Sequence, residues 1–204
     1  MPRVRVPLTR STLLETQRLL VLAREGHDLL DRKREILLAE LLSAAPEADQ
    51  ARDSMVQSFQ AAYDALAAAR MAMGGKAVRR AALAVHEKVP LKVTERSNMG
   101  AVVPTIQCSV QGERPAYSLA GTAAELDRAI DAFRELIGIV CDAAEKETTV
   151  LRLAREARGT QRRVNALRNV VIPQQEQIIK QVREALEDAE RESFFRAKML
   201  KRRK

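Results

Sequence analysis

Between Leu13 and Leu41 a stripe recurs at alternating steps of three and four, through Leu13, Thr16, Leu20, Ala23, His27, Leu30, Arg34, Leu37 and Leu41, and six of those nine positions are apolar. Those steps keep one face of a helix turned toward one partner, and here they persist for about four heptads, long enough for a coiled coil. Leu19, Leu22, Leu29 and Ile36 widen the stripe on one side. Thr9 or Ser11 can cap the start of this helix, because a short hydroxyl side chain accepts from an otherwise unbonded N–H. After Pro46 helical spacing resumes through Met55, Phe59, Ala62, Tyr63, Leu66 and Met73. Proline inside a helix costs about 3 kcal/mol, so a kink or a brief break with direction kept is expected there. Toward the other end, Leu126, Ile130, Phe133, Ile137, Val140 and Ala144 form one stripe. Val164, Leu167, Val171, Ile178, Val182, Ala185 and Ala189 form another. Thr122 with Glu125 has the spacing of a capping box and predicts where this arm starts. Pro173 interrupts the arm, and a modest bend is expected at it.

The middle of the chain follows a different rule. Val89, Leu91 and Val93 alternate with Pro90, Lys92 and Thr94, and Ala101 to Val110 is β-branched and partly alternating. Ser97-Asn98-Met99-Gly100 lies between them as a turn, so a short, irregular β-hairpin is expected. Breakers agree with this division: Gly74-Gly75, Pro90, Gly100, Pro104, Gly112, Pro115 and Gly121 cluster centrally, with long clean arms on either side. The expected organisation is an N-terminal coiled-coil arm (1–73), a central head (74–121) and a C-terminal coiled-coil arm (122–204). The fold class is mainly α: a long antiparallel two-helix coiled coil with a small head containing the hairpin at its tip. An arm of about 80 residues would reach roughly 120 Å at 1.5 Å per residue, too long to fold inside a globule of this mass. The other arm, running back, is its natural partner.

Composition supports a rod over a compact enzyme. Apolar residues make up 46% of the chain, but aromatics only 3%, with no Trp. The apolar content is therefore Leu, Ala, Val and Ile, which suits a narrow seam. The formal charge of +8 favours acidic partners or surfaces without naming one. Cys108 and Cys141 form no CxxC and read as reduced thiols of a cytosolic protein. No apolar run approaches the ~20 residues of a membrane span, and Met1-Pro2-Arg3-Val4-Arg5 has no signal-peptide core. A cytoplasmic chain with no direct membrane insertion is expected.

Catalytic constellations are thin. His27 sits on the seam, where a structural role fits. His86-Glu87 lacks a second His at HExxH spacing. Gly74-Gly75-Lys76 is not a phosphate loop, since Arg70 stands at the first glycine and Ala77 at the magnesium-binding hydroxyl. No serine lies in GxSxG. Neither cofactor nor metal is expected, and no catalytic residue. The basic end, Lys198 to Lys204, fits either a soluble helix terminus or a contact with an acidic partner. Phe194-Phe195 is the only aromatic pair near basic residues, and no groove-entering motif accompanies it, so nucleic acid is not expected as a partner.

Three ordered segments resemble the D subunit of the V-type and A-type ATPases. Arg24-Glu25-Gly26-His27-Asp28-Leu29-Leu30-Asp31-Arg32-Lys33-Arg34-Glu35-Ile36-Leu37 is similar to the family's GHxLLKxKRDxL run. Asn98-Met99-Gly100, with Pro104 after it, is similar to the central MGVxxP. The most specific stretch runs from Glu147-Thr148-Thr149 through Arg162-Arg163-Val164-Asn165-Ala166-Leu167 and Val170-Val171-Ile172-Pro173. It ends in Glu187 to Phe194-Phe195-Arg196. Arg168-Asn169 departs from the family's Glu-Tyr, and Asp31 from its Lys.

The resemblance implies a non-catalytic rotor axle, peripheral to the membrane within a membrane-bound complex. Its termini would lie inside the hexamer of catalytic and regulatory subunits. Its head would sit near the small F subunit and the socket subunit of the rotor. On that reading Arg162, Arg163, Asn165, Phe194, Phe195 and Arg196 are candidate hexamer contacts. Val93, Asn98, Met99, Gly100 and Pro104 are candidates toward the central-stalk partners. An exposed basic face around Arg152, Arg155, Arg162 and Arg163 belongs to the first set. The alternative from composition alone is a basic coiled-coil adaptor binding nucleic acid or an acidic protein.

Overall fold

The computed structural model describes residues 7–85, 89–109, 117 and 122–202. His86, Glu87, Gly112, Pro115 and Gly121 lie outside them. The elements in order are α1 (Arg10–Met73), α2 (Gly75–Ala84), β1 (Leu91–Asn98), β2 (Ala101–Cys108), α3 (Ala124–Ala166), a π-helical turn (Leu167–Val171) and α4 (Ile172–Arg202). The mainly helical class and the small antiparallel hairpin between two long helical arms agree with the sequence pattern. By its internal contacts the chain divides into two compact units. One joins Met1–Ile36 to Ala157–Lys204, and the other is Leu37–Glu156.

In the first unit Thr9 caps α1. Its Oγ1 accepts from the Thr12 N–H at 3.2 Å, and its carbonyl accepts from Leu13. The seam positions from Leu13 to Arg34 are all buried or half-buried, as the spacing predicts. Leu19, Leu22, Leu29 and Ile36 do not join them and stay exposed. A pair of helices buries only a narrow strip, and residues one step off that strip remain outside. The facing strip carries Ala157, Thr160, Val164, Ile179 and Val182, all buried. Partners across the pair run in opposite directions: Arg10 meets Glu190 at 2.5 Å, Arg24 meets Glu176 at 2.7 Å, and Arg34 meets Gln161 at 3.5 Å. As numbers rise on α1 they fall on its partner, which makes the pairing antiparallel.

The π-turn corrects the reading of Pro173 as an interruption. Proline lacks an N–H and its ring collides with the carbonyl four residues back, here Asn169. The chain widens just there: the Ile172 N–H reaches the Leu167 carbonyl, five residues back. The helix then continues as α4. The extra residue also shows in the seam, which steps from Leu167 to Val171 to Gln175 in two successive fours.

In the second unit α1 continues without a break through Pro46, so the expected brief break is absent. Pro46 is exposed, off the seam. The seam itself carries on as Leu37, Leu41, Ala44, Ala48, Ala51, Met55, Ser58, Ala62, Ala65 and Ala69, all buried or half-buried. Phe59 and Tyr63 are exposed; they stack at 6.2 Å, and Tyr63 meets Phe133 edge-on at 5.7 Å. Across from α1, Ala129, Leu136, Ala143 and Leu153 are buried on α3, whereas Ala144 is exposed. Arg52 faces Glu147 at 4.0 Å, again in antiparallel sense to the Tyr63–Phe133 contact. α3 begins at Ala124, slightly past the Thr122 cap expected from sequence. A small core closes this end of the unit, where Ala69, Val78, Ala81 and Leu126 pack with Leu66, Met73, Tyr117 and Ile130. α2 contributes to it through Val78 and Ala81.

Candidate interaction surfaces

The hairpin turns over two residues, Met99 and Gly100, both at positive φ (49° and 81°). Two positive values make the turn whose twist suits a hairpin, and Gly100 adopts its value at no steric cost. Leu91 pairs with Cys108 and Asn98 with Ala101, in unbroken antiparallel register. β1 is almost wholly exposed, whereas Ala101, Val103 and Pro104 of β2 are buried.

β2 is fastened along α3 by side chains that satisfy its outer edge. Glu145 accepts the Ile106 N–H at 2.5 Å, and the Arg152 guanidinium donates to the Val102 carbonyl at 2.8 Å while lying 3.4 Å from Glu95. Residues whose backbone groups point outward alternate along a strand, so Val102, Pro104 and Ile106 share that edge. Pro104 thus stands where its missing N–H costs no ladder bond. At the turn Asn98 Nδ2 donates to Glu40 at 2.9 Å. Glu40 lies far upstream of the Met73 end of α1, so the hairpin lies along the helices of its unit and not at a tip. β1's own outward groups, at Val93, Glu95 and Ser97, meet no strand among the described residues.

In the first unit the seam contains a polar layer. His27, Asp31, Arg34 and Thr160 each bury a side-chain atom without a hydrogen-bond partner. Asp31 lies 2.8 Å from the Arg34 guanidinium as an ion pair without hydrogen-bond alignment. His27 Nδ1 is 3.2 Å from Asp28. Polar groups at seam positions cost stability and discriminate against other registers.

The candidate contact residues fall in separate places. Arg162, Arg163 and Asn165 are exposed near the end of α3, with Asn165 Oδ1 accepting from Gln161 at 2.9 Å. Phe194 and Phe195 are exposed toward the end of α4, beyond the π-turn, and Arg196 pairs with Glu192 at 2.8 Å. The two groups are not one patch. Arg152 leaves the proposed basic face, since it is only 37% exposed and occupied by the hairpin. Of the hairpin candidates, Val93, Met99 and Gly100 are exposed, Asn98 is half-buried on Glu40, and Pro104 is buried. Sequence reasoning placed Arg152 on an exposed basic face and missed its anchoring of the hairpin, as it missed that of Glu145, because a helix charge carries no local mark of a distant strand. Among the described residues no His, Cys, Asp and Glu group could hold a metal ion, and no helix is long and apolar enough to cross a membrane.

A sequence model of the ATP synthase D subunit matches residues 12–202. The chain belongs to the ATP synthase D-subunit family. It is 39% identical to the A-type ATP synthase D subunit of Methanopyrus kandleri, covering 95% of this chain and 84% of that protein. It is 38% identical to that of Methanosphaera stadtmanae, covering 95% and 92%. The V-type ATP synthase D subunit of Thermotoga neapolitana is 37% identical, with 95% of each chain covered. Within this D-subunit family chain, the long paired arms carry exposed aliphatics as well as a closed seam. Leu22, Leu29 and Ile36 repeat at steps of seven along α1. Membership of the family makes it a component of a rotary ATPase.

Proposed function

We propose that the chain is the central rotor shaft of a V/A-type ATPase, carrying torque between the catalytic hexamer and the membrane rotor ring. The observation that carries this reading is a helix that has already closed one seam and still displays Leu22, Leu29 and Ile36 in heptad register. A free-standing pair of helices has no use for such a stripe, whereas a shaft inside a ring has partners on every side. The catalytic and regulatory subunits are the proposed partners of that surface, with Arg162, Arg163, Asn165, Phe194, Phe195 and Arg196. The F subunit and the rotor socket are the proposed partners of the unit that carries the hairpin. ATP chemistry belongs to the hexamer, and this chain supplies no catalytic group. Its place is peripheral to the membrane, on the cytoplasmic side.

Mechanically, seam side chains lock two helices and resist relative sliding, so twist applied at one end is passed on. An asymmetric shaft surface stabilises different conformations of the surrounding subunits at each angle, which couples rotation to their nucleotide cycle. Purifying the complex through this chain tests the assignment. An intact ATPase with one copy of the chain is expected. Replacing Arg162 and Arg163 together by Glu should then uncouple hydrolysis from ion movement. Recovery of the chain without ATPase components would overturn the reading.

A further inference from the structure

We propose that Cys108 and Cys141 are a redox-active thiol pair, closing to an intrachain disulfide that ties the hairpin to α3 when a low-molecular-weight disulfide is present. The placement follows from the strand–helix bracket. Glu145 holds the Ile106 N–H at 2.5 Å, and the two cysteines are the same-face neighbours of those residues. Cys108 is two positions along β2 from Ile106, on the same side of the pleat. Cys141 is one helical turn before Glu145, on the same face of α3. Arg152 on Val102 fixes the other end of β2, so strand and helix cannot slide past each other by a turn. Both thiols are free and half-buried. The proposal does not depend on the shaft function.

Electrostatics agree with the contact. The Cys141 thiol is pushed up to about 11, first by its hydrogen bond to Cys108, then by burial and by charge on Cys108. Either thiol can open the exchange. With Cys108 first, its thiolate, having lost its proton to solvent, attacks one sulfur of the small disulfide. One thiolate leaves and takes up a proton, and Cys108 carries the other half as a mixed disulfide. Cys141 then loses its proton, attacks the Cys108 sulfur and expels the second small thiol. Two protein thiols are oxidised to one disulfide, and one small disulfide is reduced to two thiols. The closed bond pins the open end of the hairpin to α3, as Arg152 pins its turn end.

The test treats the full chain with oxidised glutathione and measures intact mass and linked peptides. The native chain should lose two hydrogens, carry no glutathione, and yield one peptide joining Cys108 to Cys141. Cys108→Ser and Cys141→Ser should each stop at a glutathione adduct, with helical circular dichroism unchanged. Should either variant fail to fold, hydrogen exchange of the oxidised wild-type chain decides instead. Protection must rise at the β2 amides on oxidation and return to its starting level on reduction. Glutathione adducts on both cysteines of the native chain, or no change under conditions that oxidise a free dithiol, would overturn the proposal. Unaltered β2 protection in the oxidised chain would do so too.

Discussion

The Arg152 guanidinium donates to the Val102 carbonyl at 2.8 Å, closing the outer edge of a strand from a neighbouring helix. A charged donor on a backbone acceptor contributes more than a neutral pair. Partial exposure of Arg152 discounts that value. Replacing Arg152 by Gln is expected to cost about 1–2 kcal/mol locally. Hydrogen exchange should accelerate at the β2 amides that bond β1, and leave the seam of the first unit unchanged.

Met99 holds φ 49° in a turn whose second residue is Gly100. An ordinary side chain in that left-handed region is strained by roughly 1–2 kcal/mol, while Asn tolerates it. Met99→Asn should therefore raise stability by up to about 1 kcal/mol, read as a higher midpoint in denaturant. A fall would mean that the Met99 side chain makes a contact worth more than the strain.

Thr160 is fully buried and its hydroxyl has no hydrogen-bond partner. Its closest apolar isostere should remove that burden, so Thr160→Val is expected to stabilise by about 1 kcal/mol or to be neutral. Leu37, also fully buried, behaves in the opposite way. Truncation to Ala there should cost about 2–5 kcal/mol, since a cavity is added to the lost burial. Denaturant unfolding of both variants checks the pair.

Which features were legible in the sequence follows from how each is encoded. The seam of the first unit was legible because Leu13, Leu20 and Leu30 anchor a three-and-four spacing that Thr16, Ala23, His27 and Arg34 complete. Past Pro46 the same alternation continues as Ala48, Ala51, Ala62 and Ala69, and alanine is too small and too common to mark a face. The larger Phe59 and Tyr63 drew attention there and proved exposed. Gly100 announced the hairpin turn, but nothing local announced where the hairpin would lie. Its attachments, Glu40, Glu145 and Arg152, are ordinary helix charges until a distant strand meets them. Pro173 signalled an irregularity, yet a widened turn and a bend look alike from one proline. The candidate contact residues could be named from family resemblance, and most are exposed, but exposure alone does not identify what touches them.

The Tyr117 hydroxyl donates to the Asp127 carboxylate. Burial first, then that bond and the Asp127 charge, push its pKa from 10.0 to about 12. The raised value means that the protonated phenol stabilises the folded state. Its contribution is complete below pH 10.0 and is lost as pH rises toward about 12. Tyr117→Phe should be less stable than the wild type below that window and lose less stability across it. Thermal unfolding at a series of alkaline pH values measures both.

Single-molecule rotation tests the shaft most directly. With the hexamer immobilised, a probe is attached at exposed Lys92→Cys on β1, in a chain carrying Cys108→Ser and Cys141→Ser. Unidirectional turning that starts with ATP and stops without it is the predicted result. A probe that only fluctuates while the same complexes hydrolyse ATP at full rate would contradict the account.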